Sequence, residues 1–149
     1  MLVSTKGRYA LRVMVDLAEH SQEGRTPLRQ IARRQGISEK YLENILSTLV
    51  RHGLLSGLRG KGGGYCLTRE PDQFSVGEVL RLTEGSLSPV SCLNGAHNVC
   101  ERAETCRTIR LWTELDKMIE DYLDGITIAD LMCSAAEEGC GLCEGTDRA

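Results

Sequence analysis

The sequence predicts a mainly α-helical fold with one small β-hairpin, and three observations predict it. Aromatic residues are 4% of the 149 and prolines number 3, so Leu, Ile, Val and Ala must build the core, a composition that favours helices. Apolar residues recur at three- and four-residue spacing in several separate stretches. A single glycine-rich cationic run, Arg59-Gly60-Lys61-Gly62-Gly63-Gly64, lies between two short apolar segments.

A chain of this length makes one domain, or one small domain with an appended element. No apolar run reaches the roughly 18 residues of a membrane helix. Arg12, Asp16 and Glu19 interrupt any signal-peptide core, so a cytoplasmic protein without a membrane partner is expected. In that reducing compartment the 7 cysteines are metal ligands or redox thiols before they are disulfides. Charge is polarised: residues 1–70 hold 12 Lys and Arg against 6 Asp and Glu (+6), and residues 71–149 hold 6 against 15 (−9). A basic half suits phosphate backbones; an acidic half with clustered thiols suits sensing and assembly.

Over residues 5–20, Ala10, Leu11, Met14, Val15, Leu17 and Ala18 give a helix with an apolar face wide enough for its own core and a partner. Thr26 is the expected N-cap of a short helix with Pro27 at its first position, packing Leu28, Ile31 and Ala32 and stopping at Gly36. Ser38 caps the next helix, which ends before Gly53. Two helices joined through Gln35-Gly36-Ile37-Ser38 form a helix-turn-helix. Leu42, Ile45, Leu46 and Leu49 of the second helix face the core, and Lys40, Asn44, Ser47 and Arg51 form a polar stripe opposite. A merely solvated amphipathic helix has the same two faces, so the stripe needs its context.

That context is the next segment. Leu54 to Leu58 and Tyr65 to Thr68 are short strands around the glycine-rich tip, making a wing. The tip lacks the Gly-Lys-Ser/Thr ending of a nucleotide loop and leads into a strand. A mobile surface loop has this composition too, but a helix-turn-helix followed directly by a basic wing is far more specific than either part. Residues 75–84 form a further helix with Ser75 and Glu78 as a capping box and Val76, Val79, Leu80 and Leu82 inward. From about Thr108 to Leu123 a long amphipathic helix places Leu111, Trp112, Leu115, Met118, Ile119 and Tyr122 on one face, with Ile126, Ile128, Leu131 and Met132 behind it. Its most natural cover is the same helix of a second chain.

The fold class is therefore a mainly α winged helix-turn-helix with a long C-terminal dimerisation helix. The expected division is a DNA-binding domain over 1–84, a cysteine-containing loop over 85–107, a dimerisation region over 108–132 and a flexible tail over 133–149. Double-stranded DNA is the partner. The residues placed at its grooves are Ser38, Lys40, Tyr41, Glu43, Asn44, Ser47 and Arg51 of the second helix, with Arg59 and Lys61 of the wing. Asn44 suits adenine, Glu43 can accept from cytosine, and the wing cations suit phosphates or a minor groove. Two-fold symmetry predicts a palindromic operator.

Cys92, Cys100 and Cys106 are separated by seven and five residues, unlike the tight pairs of zinc knuckles. Such spacing suits a polynuclear iron–sulfur centre with one position left for a weaker ligand. Zinc, a reactive thiol set and unliganded cysteines stay open on spacing alone.

The chain resembles the Rrf2 family of bacterial regulators. The resemblance rests on Ser4-Thr5-Lys6-Gly7-Arg8-Tyr9-Ala10, Gln35-Gly36-Ile37-Ser38 with Tyr41-Leu42-Glu43, and the wing through Tyr65. Val76-Gly77-Glu78-Val79, Leu111-Trp112 and Ile126-Thr127-Ile128-Ala129-Asp130-Leu131 extend it over roughly 1–132, nearest the IscR branch. It implies a homodimeric transcription factor, repressor or activator, and implies that Cys92, Cys100 and Cys106 hold an iron–sulfur cluster, 2Fe–2S or 4Fe–4S, that controls operator binding. Two departures concern the remaining ligand. The IscR pattern has a histidine where Ile109 stands, and another branch has an aspartate where Arg8 stands. The first cysteine gap is also two residues longer than in the IscR pattern. His97 is the candidate fourth ligand, with Glu101 and Glu104 weaker.

Two rivals remain. A cluster-free regulator of the same family answers to thiol oxidation or a protein partner. A thiol oxidoreductase would use Cys140 and Cys143, but no constellation of nucleophile, base and oxyanion donors accompanies them, so the chain is not expected to be an enzyme. Cys66 is expected as a small strand residue, and His20 and His52 as residues of helix C-termini.

Overall fold

The computed structural model describes residues 3–94 and 100–132; His97, Cys133, Cys140 and Cys143 lie outside them. Among these residues are six α-helices and one two-stranded antiparallel sheet. Helix α1 spans Thr5–Glu19, α2 Leu28–Gln35 and α3 Glu39–Arg51. Strands β1 (Leu55–Leu58) and β2 (Gly64–Leu67) follow, then α4 (Val76–Glu84), α5 (Ile109–Asp124) and α6 (Ile128–Met132).

Local chemistry sets the ends of these elements. Ser4 caps α1 by accepting from the Gly7 amide at 3.2 Å, and Ser38 caps α3 by accepting from the Tyr41 amide at 3.3 Å. Gly36 ends α2 in the left-handed region at φ 65°, which turns the chain into α3. Two expected caps are placed differently. Helix α2 begins at Leu28 with Pro27 as its cap, and Thr26 stays extended. The backbone of Thr26 instead pairs with Tyr65, each amide donating to the other carbonyl at 2.9 Å. A residue before proline is pushed to the extended region, and here that preference supplies a strand edge for the wing. At α4, Ser75 accepts from the Glu78 amide at 3.0 Å, but the Glu78 carboxylate does not close the box; it accepts from Arg69 at 2.7 Å.

The core lies between α1, α3 and the strands. Ala10, Val13 and Met14 of α1, Leu42, Ile45, Leu46 and Leu49 of α3, and Phe74 and Ile128 are fully buried together. Residues behind α5 therefore pack elsewhere than expected. The Ile128 amide donates to the Phe74 carbonyl at 2.9 Å, and Ile128, Leu131 and Met132 join the core under α1. A second cluster of Val76, Leu80 and Leu87 takes in Leu123, Ile126 and Leu131. The expected single apolar face of α5 divides in two. Trp112, Ile119 and Leu123 are half-buried, whereas Leu111, Leu115, Met118 and Tyr122 are exposed by 56, 36, 68 and 64%.

One buried charge ties α1 to α2. Asp16 accepts from both Arg34 nitrogens, at 2.9 Å from Nε and 2.6 Å from Nη2, and from Gln35 Nε2 at 2.8 Å. Burial pushes its pKa up, but the hydrogen bonds from Arg34 and Gln35 outweigh that and hold the carboxyl below its ordinary 3.8.

Candidate nucleic-acid interface and cysteine segment

Helix α3 buries one side and offers the other. Lys40, Glu43, Asn44, Ser47 and Arg51 are exposed, as is the cap residue Ser38, while Tyr41 is half-buried. The Asn44 backbone carbonyl accepts from the hydroxyls of Ser47 at 2.9 Å and Thr48 at 3.1 Å. The residue itself is exposed, and a side-chain amide offers both a donor and an acceptor.

The wing stands against the C-terminal half of this helix. A cleft of about 320 Å³ is lined by Glu43, Ser47 and Arg51 of α3 and by Leu58, Arg59 and Tyr65 of the hairpin. Four of the nine residues expected at DNA are thus gathered at one place. Ser38, Lys40 and Tyr41 sit at the other end of α3, and Lys61 is exposed at the hairpin tip. Leu58, exposed by 56%, and Val50 add apolar groups to the charged and polar ones in this cleft.

What holds the wing in place was not expected. Arg25 donates to the Ser56 carbonyl at 2.9 Å and to its hydroxyl at 3.0 Å, beside the Thr26–Tyr65 pairing. Gly64, at φ 151°, sits where a Cβ would meet the Thr26 carbonyl oxygen at 2.5 Å, so only glycine permits this approach. The Thr26-Pro27 step was the sequence signal for this seam. Cys66 is half-buried on β2, its thiol 3.9 Å from the Ser56 carbonyl.

The cysteine segment leaves α4 at Gly85 and enters α5 at Thr108. Cys92 lies in a single helical turn, Ser91–Leu93; Cys106 follows another, Ala103–Thr105. Cys92, Cys100 and Cys106 are all partly exposed. Among the described residues no three His, Cys, Asp or Glu side chains lie together as a metal-binding group. The Cys106 thiol lies 3.4 Å from the Thr108 hydroxyl, and that hydrogen bond, with help from the Thr108 backbone, lowers its pKa below the ordinary 9.0. A lowered thiol pKa raises the thiolate fraction that metals and oxidants require.

One clasp joins this segment to the DNA-facing body. Glu84, the last residue of α4, accepts from the Ser4 amide at 3.1 Å and the Ser4 hydroxyl at 2.7 Å. The start of α1 and the start of the cysteine segment are therefore held by one carboxylate. Gly7 is buried beside it, where a Cβ would collide with the same Glu84 oxygen.

Residues 3–134 match the Rrf2 family, described as iron-dependent transcriptional regulators. The HTH-type transcriptional regulator IscR of Aliivibrio salmonicida is 42% identical over 132 residues, 89% of this chain and 77% of that protein. IscR of Erwinia tasmaniensis is likewise 42% identical, over 89% of this chain and 79% of its own. Among solved structures, CymR, the global cysteine regulator of B. subtilis, superposes with a TM-score of 0.72 at 38% identity, covering 89% of this chain and 96% of CymR. T. potens IscR does so with a TM-score of 0.69 at 39% identity, covering 89% and 86%.

Proposed function

The chain belongs to the Rrf2 family of DNA-binding transcriptional regulators, and from that premise we propose that it is a homodimer whose operator binding is set by an iron–sulfur cluster on Cys92, Cys100 and Cys106. The observation that carries the reading is the clasp between Ser4 and Glu84, because it joins the cysteine segment to the helix packed against the DNA-reading element. The donor set fits such a group: three partly exposed cysteines, one with a lowered pKa. A bound cluster supplies thiolate-held iron that oxidants, nitric oxide or iron demand can remove. His97 is the proposed remaining ligand.

In this reading each protomer lays the exposed side of α3 in a major groove. Asn44 and Glu43 read base edges, and Arg59 and Lys61 hold the flanking backbone. Leu111, Leu115, Met118 and Tyr122 of α5 meet the same stripe of a second chain, giving a two-fold reader of a palindromic operator. Thiolate ligation by Cys92, Cys100 and Cys106 acts on Glu84 and Thr108 at the two ends of the segment. The clasp to Ser4 then biases how α1 and α3 present themselves, a shift between two populations.

The test is protein purified without oxygen, assayed for visible absorption, iron and sulfide, and for operator binding before and after chelation. Matching iron and sulfide, lost in the Cys92/Cys100/Cys106 triple serine variant together with the chelation response, is the expected result. Colourless, iron-free protein after anaerobic reconstitution overturns cluster control. The second reading is a thiol-responsive regulator without a cluster, favoured by the lowered Cys106 pKa and the likeness to CymR. It predicts a DNA response to peroxide that chelators leave intact.

A further inference from the structure

The exposed edge of α1 forms a stripe of Thr5, Arg8, Tyr9 and Arg12, spaced three or four residues apart. This stripe touches α3 at its first turn. The Tyr9 and Tyr41 rings meet edge to face, centroids 6.0 Å apart at 80°. The Arg12 guanidinium lies over the Tyr9 ring, 5.0 Å from its centroid, and donates to the Gln35 side chain at 3.0 Å and its carbonyl at 2.9 Å. Arg8 donates to the Thr5 hydroxyl at 3.2 Å. Both guanidiniums are thus placed by neutral partners that leave their charge intact.

The distribution of ion pairs gives that placement meaning. Arg29, Arg34, Arg69, Arg81 and Arg110 each have a carboxylate partner among the described residues. Among the described residues Arg8 and Arg12 have no such partner; nor do Lys40, Arg51, Arg59 and Lys61 of the expected DNA face, although Lys6, Arg25, Arg33, Arg102, Arg107 and Lys117 lack one too. Holding an arginine by hydrogen bonds and ring stacking, without neutralising it, prepares it for an outside anion with bidentate geometry. The wing flanks the C-terminal half of α3, and this stripe flanks its first turn. A helix in a major groove about 12 Å wide has a phosphate strand on either side.

We propose that Thr5, Arg8 and Arg12 form a second phosphate-binding edge, which grips the DNA backbone on the side of α3 away from the wing. It rests on the DNA-binding reading and adds a contact that carries no base information.

The test is fluorescence anisotropy of the full chain, purified without oxygen, on a labelled 30-base-pair mixed-sequence duplex over a series of KCl concentrations. Arg8→Ala should weaken binding about fivefold near 0.1 M salt and reduce the slope of log K against log salt by about 0.9, the value of one phosphate contact. Thr5→Ala, Arg8→Ala combined should lose more affinity, and Arg110→Ala on α5, an arginine already paired with Glu114, should change neither quantity. Because Arg8 is exposed and bonded only within its own helix turn, its loss leaves the fold intact, which circular dichroism checks. An unchanged slope in Arg8→Ala, with wild-type binding normal, overturns the second edge alone. Wild-type protein with no salt-dependent affinity for the duplex overturns the DNA-binding reading with it.

Discussion

Helices α1 and α5 are nearly equal in length, 15 and 16 residues, and both are amphipathic by sequence, yet α1 buries seven of its residues and α5 buries none. The difference teaches where the core of this chain ends. Helix α1 is flanked by α3, α4 and α6, so most of its wide apolar face is buried within one protomer, with Leu11 and Val15 left partly exposed. Helix α5 packs chiefly on α4 along one stripe, and its ion pair Arg81–Asp124 is made at the rim. Leu111, Leu115, Met118 and Tyr122 are then an apolar line left 36 to 68% exposed. A line of that kind is exposed at a cost unless something covers it, which is the physical ground for the proposed self-association.

The sharpest break in the comparison is inside the enclosed half. Leu46 is fully buried on α3, and Leu46→Ala should destabilise the fold by about 3–4 kcal/mol, read from urea denaturation. Asp16→Asn should follow at about 3 kcal/mol, since it leaves the Arg34 guanidinium without its bidentate partner while Arg34 still reaches water. The sign with pH is fixed. The folded Asp16 carboxyl titrates below 3.8, so its contribution is full above that value and is lost as pH falls through the lowered folded pKa. The gap in stability between wild type and Asp16→Asn should therefore be widest near neutrality and close in acid. A gap that does not vary with pH would mean the ion pair is not the source.

On the open half the expectation reverses. Met118 is exposed by 68%, so Met118→Lys should leave the protomer's circular dichroism unchanged. It should weaken self-association about a hundredfold, roughly 2.8 kcal/mol, measured by sedimentation equilibrium. If association is unaffected while Leu46→Ala behaves as stated, the exposed stripe serves something other than a second copy.

The same contrast explains what could be foreseen from the sequence. Caps and periodicity placed α3, α4 and the hairpin, and periodicity alone placed α1, because Ser38, Ser75, Gly36 and the buried Leu42, Ile45, Leu46 and Leu49 act locally. The polar side of α3 was legible for the same reason: burying one side of a helix exposes the other. Long-range pairings were not legible. The Thr26 seam to Tyr65, the Arg25 link to Ser56 and the Ser4 clasp to Glu84 join residues 31 to 80 positions apart, and no spacing rule reaches that far. Helix α5 misled in a different way. Its apolar residues span an arc broad enough for two stripes, and only the position of α4 decides that Trp112, Ile119 and Leu123 turn inward. The geometry of Cys92, Cys100 and Cys106 was out of reach too, because three residues without periodicity have no local rule to place them.

The smallest expected effect lies where the two halves meet. Thr108 caps no amide of α5 with its side chain, yet its hydroxyl and backbone hydrogen-bond the Cys106 thiol. Thr108→Val removes the hydroxyl and keeps the shape, so the Cys106 thiol should return towards its ordinary pKa. The expected readout is a slower alkylation of Cys106 by iodoacetamide at pH 7, followed peptide by peptide, with Cys92 as the internal control. The pH midpoint of the reaction should move upward for Cys106 alone. A thiolate-dependent sensor would then lose metal or resist oxidant in proportion to that slowing, whereas a purely structural cysteine would alkylate more slowly with no change in the DNA response.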